Sequence, residues 1–389
     1  MTNSRHGTVT TFYSFTGGTG RTMALANVAW ILAANGHRVL AADWHFESPG
    51  LHRYFRPFIR SEALDHAPGV SDLIRGYEWE VMRRGSPLPQ AELERLADVT
   101  AHAIALDWEF PGGGCLHLLP TGSQDRTYVA ILGSMDWDEF YEERDGGRFF
   151  DAMRSGMRDR YDYALIDSRN GWNEVADICT IQLPDVLVSC FQLSQQGIEG
   201  AVESASAVRY QDAEREIRIL PVPTRVDLAE QEKAQIGRLI ARQRLAGLPK
   251  GMAEHERERY WRDVEVPHCP YYSFEEILAP FGDRPDMASP LLHAYEAVAR
   301  HISAGTVDHL PPMNDSLRAR TLARFTRRAA VAEEEVALSY APADQVWAEW
   351  VERLLASVGI RVHDVPEGTA EATPAPEIST EVMPTCATP

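Results

Sequence analysis

Short, nearly continuous apolar runs recur along the first 305 residues and are separated by longer segments with helical spacing. The runs lie at 8 to 15 (TVTTFYSF), 38 to 44 (RVLAADW), 115 to 119 (CLHLL), 162 to 167 (DYALID), 186 to 190 (VLVSC) and 218 to 223 (RILPVP). Runs of this length with little alternation predict strands covered on both faces, as in a parallel sheet. MALANVAWILAANG (23 to 36) predicts an apolar helix closed by Gly36, and SPLLHAYEAVARHISAG (289 to 305) predicts another. Strands alternating with helices imply an α/β fold, a mostly parallel central sheet flanked by helices through right-handed crossovers.

Between about 60 and 160 the strands are widely spaced. WEVMRRG (79 to 85), AELERLADVTAHAIAL (91 to 106) and WDEFYEERDGGRFFDAMRSGMRDR (137 to 160) predict a helical insertion within a domain spanning 1 to 305. His309, Leu310, Pro311 and Pro312 break the pattern. The connector 306 to 333 carries Arg318, Arg320, Arg324, Arg327 and Arg328 on one helical stretch, read as a solvated linker helix. Residues 334 to 366 predict one β-α-β unit, on whose helix Trp347, Trp350, Val351, Leu354 and Leu355 form a face over their own small sheet. The nearby Asp344, Glu349 and Glu352 oppose anionic lipid. Residues 367 to 389, rich in Pro, Thr, Ala and Glu without periodicity, predict a disordered tail.

Composition narrows the classes. With 389 residues, 44% hydrophobic, the chain can bury a full α/β core and still supply a smaller annex. Its 57 acidic and 38 basic side chains give a formal charge of −19, which repels phosphodiester backbones and anionic membranes, so neither nucleic acid nor membrane is an expected partner. Five scattered cysteines show no metal-ligand spacing and read as reduced thiols. No basic-then-apolar leader stands at the N-terminus, and no stretch approaches the roughly 20 apolar residues of a membrane span. A cytoplasmic protein is the expectation.

The chemistry concentrates after the first strand. Gly17, Gly18, Thr19 and Gly20 leave that strand and enter a helix, so successive backbone N–H groups can converge on phosphate oxygens with no Cβ in the way. The helix beginning near Arg21 adds its positive dipole end. Thr22 falls where a hydroxyl can complete the shell of a Mg²⁺ ion bridging terminal phosphates.

TFYSFTGGTGRTMALANVAWILAANGHRVLAADW resembles the deviant Walker A region of the MinD/ParA/CobQ superfamily, usually written KGGxGK[ST]. It is most similar to the variant with arginine in the loop, found in multidomain proteins of FxSxx-COOH peptide systems that join an NTPase to TIR-like, NB-ARC and TPR parts. The resemblance extends to about residue 305 and implies ATP with Mg²⁺ as cofactors and a homodimer as a candidate assembly, the protein partner being unknown. It places Asp43 and Asp167 at strand ends around the Mg²⁺ shell, with Thr22 as the third metal-binding residue and His45 beside them among the catalytic positions. Ser168, Arg169, Asn170 and Gly171 resemble the second switch loop. LPVPTRVD offers Thr224, Arg225 and Asp227 as residues flanking the nucleotide base, adenine or guanine remaining open. Three positions depart from the pattern: Thr16 stands where the signature lysine would, Arg21 replaces the loop lysine, and His45 replaces the second carboxylate of Asp-x-Asp. Since His45 lacks the negative acceptor, the resemblance implies a nucleotide-dependent switch with weak or lost hydrolysis unless Glu47 moves in. An active ParA-like ATPase and a nucleotide-free scaffold for protein interaction are the alternatives. The last unit looks like the opening β-α-β of a TIR-like domain, with Ser339, Tyr340, Ala341 and Asp344 in its turn. It lacks the helix that carries the glutamate of NAD-cleaving TIR enzymes, so NAD cleavage is not expected, and a docking surface or a truncated longer protein is implied.

Overall fold

Each of the six apolar runs forms a strand, and a seventh, very short one joins them at one edge. A computed structural model describes residues 6–64, 67–85, 87–122, 136–211, 215–227, 229–283, 289–325, 335–338, 345–357 and 361–364. The strands are β1 (Thr8–Tyr13), β2 (Arg38–Asp43), β3 (Ile104–Ala105), β4 (Cys115–Leu119), β5 (Tyr163–Asp167), β6 (Val186–Phe191) and β7 (Arg218–Pro223). They make one sheet in the order β3-β4-β2-β5-β1-β6-β7. Every pairing is parallel except β3 with β4. This is the mostly parallel α/β fold that the pattern predicts, and it brings the C-terminal ends of β1, β2, β5 and β7 to one side, where ligands of open α/β sheets bind.

Helices cover both faces. On one, α1 (Arg21–Ala34) is buried from Met23 to Ala34, the environment that suits a helix apolar all round. Trp30 packs among Phe58, Trp108, Phe110 and Phe281, with ring centroids 4.6 to 5.3 Å away. Asn27, fully buried, donates from Nδ2 to the Met23 carbonyl (2.8 Å) and accepts from the Ala279 N–H (2.7 Å). A buried amide so satisfied fixes the axial position of α1 and with it the loop that feeds the helix. On the other face lie the helices Val70–Arg84 and Gly146–Arg160, where Tyr77 stacks on Phe149 at 4.5 Å.

Three elements depart from the pattern. The stretch 91 to 106 is helical only over Gln90–Leu96; Asp98 then accepts from the Thr100 N–H in a capped turn, and Ile104–Ala105 join the sheet edge against β4. A two-residue strand is too short to show an alternating pattern, so only its pairing reveals it. The arginine-rich segment is no solvated linker. The helix Asp315–Phe325 buries Arg318, Thr321 and Phe325; Arg318 Nη1 donates to the Phe281 carbonyl at 2.9 Å, and Phe325 packs on Phe58 and Phe281. The first compact unit accordingly runs through residue 326 rather than 305. Arg327 and Arg328 lie outside the described residues.

The second unit covers 327–389. Its described part is a parallel pair, β8 (Glu335–Leu338) and β9 (Arg361–Asp364), with the helix Gln345–Ser357 between them. Trp347 and Trp350 do not cover the small sheet: both indoles are exposed, edge to face at 6.4 Å, while Ala348 is buried and Val351 and Leu355 are half-buried. Ser339, Tyr340, Ala341, Asp344, the Leu354 side chain and the tail 367 to 389 lie outside the described residues.

Candidate functional site

The turn between β1 and α1 is built on two left-handed glycines. Gly18 (φ 70°) and Gly20 (φ 87°) occupy backbone space that L side chains rarely adopt, and Gly20 sits at the N-cap of α1. No side chain caps that helix end, and its first turn holds no acidic residue. The N-terminal N–H groups therefore present positive potential with no carboxylate of their own. Gly17 and Gly18 are exposed, whereas Thr19 is buried.

Register brings two acids together behind the loop. Asp43 ends β2 directly opposite Asp167, which ends β5, and both are buried. Asp43 is filled by backbone: Oδ1 accepts from the His45 N–H (3.0 Å), and Oδ2 from the N–H groups of Gly50 and Leu51 (both 3.1 Å). Burial, followed by the charge of Asp167, pushes its carboxyl up to about 7 against the opposing pull of those three N–H groups. Asp167 is filled by side chains. Arg21 Nε donates to Oδ1 at 2.5 Å and Thr22 Oγ1 to Oδ2 at 2.6 Å. A buried carboxylate needs such donors, because an unpaired one costs several kcal/mol, on the order of 3–5 for removal of one partner.

The same arginine reaches the second loop. Its Nη1 donates to Asn170 Oδ1 at 2.8 Å, and Asn173 donates from Nδ2 to the Asn170 carbonyl at 3.0 Å. Arg169 pairs with Glu47 at 2.8 Å on the surface, so Glu47 is turned to a cation and not to the acid pair. His45 borders the cavity, and burial, then the charge of Arg21, lowers its basicity below the ordinary histidine value, favouring the neutral ring.

The loop opens onto a cavity of about 290 Å³. Across it from Gly18 stands the end of β7. Thr224 is buried there, its N–H and Oγ1 both donating to the Phe191 carbonyl, at 2.8 and 3.3 Å. Arg225, at φ 52°, turns back over the loop and donates from Nη1 to the Gly18 carbonyl (2.7 Å), with Nη2 3.1 Å from His268 Nε2. Asp227 stands apart: it is exposed, accepts from the Ala229 N–H at 2.9 Å, and does not border the cavity. Tyr54, His268, Ser273 and Tyr295 are among the other residues of the wall, and the sequence pattern did not single them out. His268 arrives through a single parallel bridge, Val226 with Pro267, and through its own N–H to the Val226 carbonyl (2.9 Å). One bridged residue leaves no periodic signal to read.

No protein-family model and no curated protein sequence matches the chain. Solved structures do. The ATP complex of a McdA variant from Cyanothece superposes with a TM-score of 0.51 at 16% identity, covering 77% of this chain and 97% of that one. The septum site-determining protein MinD from Pyrococcus horikoshii, complexed with Mg-ADP, gives 0.48 at 15% identity, covering 76% and 96%. At such identity the likeness to McdA establishes the fold alone, a mostly parallel α/β sheet flanked by helices.

Proposed function

We propose that this chain binds ATP with Mg²⁺ in the loop from Thr16 to Thr22 and works as a nucleotide-dependent switch with weak or lost hydrolysis. The observation that carries the reading is the placement of the left-handed Gly18 and Gly20, and the uncapped start of α1, beside the buried pair Asp43 and Asp167. The donor set suits a hard cation: the Thr22 hydroxyl and the Asp167 carboxylate already meet at 2.6 Å, and both offer oxygen. Such an ion would be held by Thr22 and Asp167, with Asp43 behind, and would neutralise phosphate charge.

Weak hydrolysis follows from how the acids are occupied. Asp43 holds three backbone N–H groups, His45 is disposed to stay neutral, and Glu47 is paired with Arg169. Among the described residues, Asp43 and Glu47 are thus already engaged, which disfavours either as the acceptor of a proton from water. The switch reading draws on Arg21, whose Nε stays on Asp167 while its Nη1 ties Asn170 of the second loop to the phosphate loop, so a ligand that competes with Asn170 for this one N–H would reorder residues 168 to 173. The segments after Asp43 and Asp167 then change the surface offered to a second copy or another protein. A TIR-like character of the β8–β9 unit and a cytoplasmic setting belong to the same proposal.

The test is calorimetry with ATP and GTP on the wild type and on Gly20→Val, whose side chain would be strained at φ 87°. Equal affinity in both proteins rejects the site. The rival reading, an active ATPase, draws on the Asp43 carboxyl near 7, a value suited to a general base. Phosphate release that disappears in Asp43→Ala and Asp167→Ala would favour it over the switch.

A further inference from the structure

The two arginines at the phosphate loop are held in opposite ways. Arg21 is buried and faces Asp167 and Asn170. Releasing it would leave a fully buried carboxylate unpaired beside Asp43. Arg225 is half-buried, and the acceptors it meets, the Gly18 carbonyl and His268 Nε2, are both neutral. Among the described residues no carboxylate lies within ion-pairing distance of it. A guanidinium has five N–H donors and no acceptor, so His268 must accept through Nε2. The left-handed backbone at Arg225 is unfavourable for a long side chain, yet it folds the side chain over the loop, with Cγ 3.5 Å from the point a Cβ on Gly20 would occupy.

Resting on the nucleotide reading above, we propose that Arg225 is the guanidinium that reads the nucleotide phosphates, while Arg21 serves as the internal counter-charge that stays on Asp167. Arg225 then supplies from β7 of the same chain a permanent cation with free donors, in a structure where Thr16 offers none. The planar fork of a guanidinium matches two phosphate oxygens at once, which neither His268 nor Thr224 can do. This differs from the base-flanking role expected for the segment, because a base contact would not respond to a ligand without a base.

The experiment measures ATP affinity by calorimetry, and displacement of a fluorescent ATP analogue by inorganic pyrophosphate, in wild type, Arg225→Gln, Arg225→Lys and Arg21→Lys. The expected result is that Arg225→Gln weakens both ATP and pyrophosphate by about 10-fold or more, the size of a lost charge-assisted contact. Arg225→Lys should recover part of that loss, and the thermal midpoint of the nucleotide-free Arg225→Gln protein should stay near the wild-type value. Arg21→Lys should lower the nucleotide-free midpoint and weaken ATP less than Arg225→Gln does. Pyrophosphate that fails to compete in the wild type, or competes equally well in Arg225→Gln, overturns the assignment alone. A wild type that binds no ATP removes the nucleotide reading and the assignment with it.

Discussion

Asp43 and Asp167 face each other across the β2–β5 pairing, yet one is satisfied by backbone N–H groups and the other by side chains. Two buried carboxyls side by side cannot both be charged cheaply. The structure divides the burden: Arg21 and Thr22 serve Asp167, and burial beside that charge raises the Asp43 carboxyl.

That division predicts the cost of removing Arg21. Arg21→Ala leaves Asp167 buried without its cation and should lower the unfolding free energy of the nucleotide-free protein by about 3–5 kcal/mol. Urea unfolding measures it. If Arg21→Ala costs under about 1 kcal/mol, the pair is not holding the loop.

The raised Asp43 carboxyl makes a prediction about pH. Its folded value near 7 lies above the ordinary 3.8, so between these values the folded state binds more protons than the unfolded one. Stability contributed by the neutral form is present below about pH 4 and is lost as pH rises through 7. Asp43→Asn removes this slope, although the amide also disturbs the three backbone contacts and lowers stability overall. The expected signature is a gap between wild type and variant that narrows with rising pH, by up to about 4 kcal/mol across the window. A gap independent of pH would mean that Asp43 is ionised throughout.

Strands β1, β2 and β5 and the glycine loop were legible because each is written locally, in apolar runs of six or so residues and in the spacing of Gly17, Gly18 and Gly20. That Asp43 and Asp167 stand near one another was implied only by the family resemblance, and their direct opposition appears in the β2–β5 register. What local pattern cannot show is contact made only by chain closure: the bridge that delivers His268, the left-handed turn at Arg225, and the docking of the helix Asp315–Phe325. In that helix the buried Arg318, Thr321 and Phe325 fall on one face at helical spacing, but a charged member disguises it.

The docked helix yields its own prediction. Phe325 is buried against Phe58 and Phe281, so Phe325→Ala should cost about 3–5 kcal/mol, as for a large aromatic removed from a core. Ending the chain at residue 305 should cost more, since it bares Phe58 and Phe281. Thermal unfolding of both proteins checks this, and an unchanged midpoint in Phe325→Ala would show that the helix is only laid on the surface.

Trp172 would give the proposed switch an optical readout. It follows Gly171 in the second loop, is half exposed, and stands edge to face with Phe15 at 6.1 Å. The backbone just before it is held from two sides, by the Tyr13 hydroxyl donating to the Gly171 carbonyl at 3.1 Å and by Arg21 through Asn170. If ATP draws Arg21 away from Asn170, one of these restraints is lost and the indole exchanges its contact with Phe15 for a different exposure to water. Saturating ATP should therefore change the tryptophan emission of the wild type, and Trp172→Phe should abolish the change while binding persists by calorimetry. A buried indole such as Trp30 is packed in the core and should contribute a constant background. An ATP-induced change that survives in Trp172→Phe would place the motion elsewhere, and silence in a wild type that binds ATP would leave the second loop uncoupled from the phosphate loop.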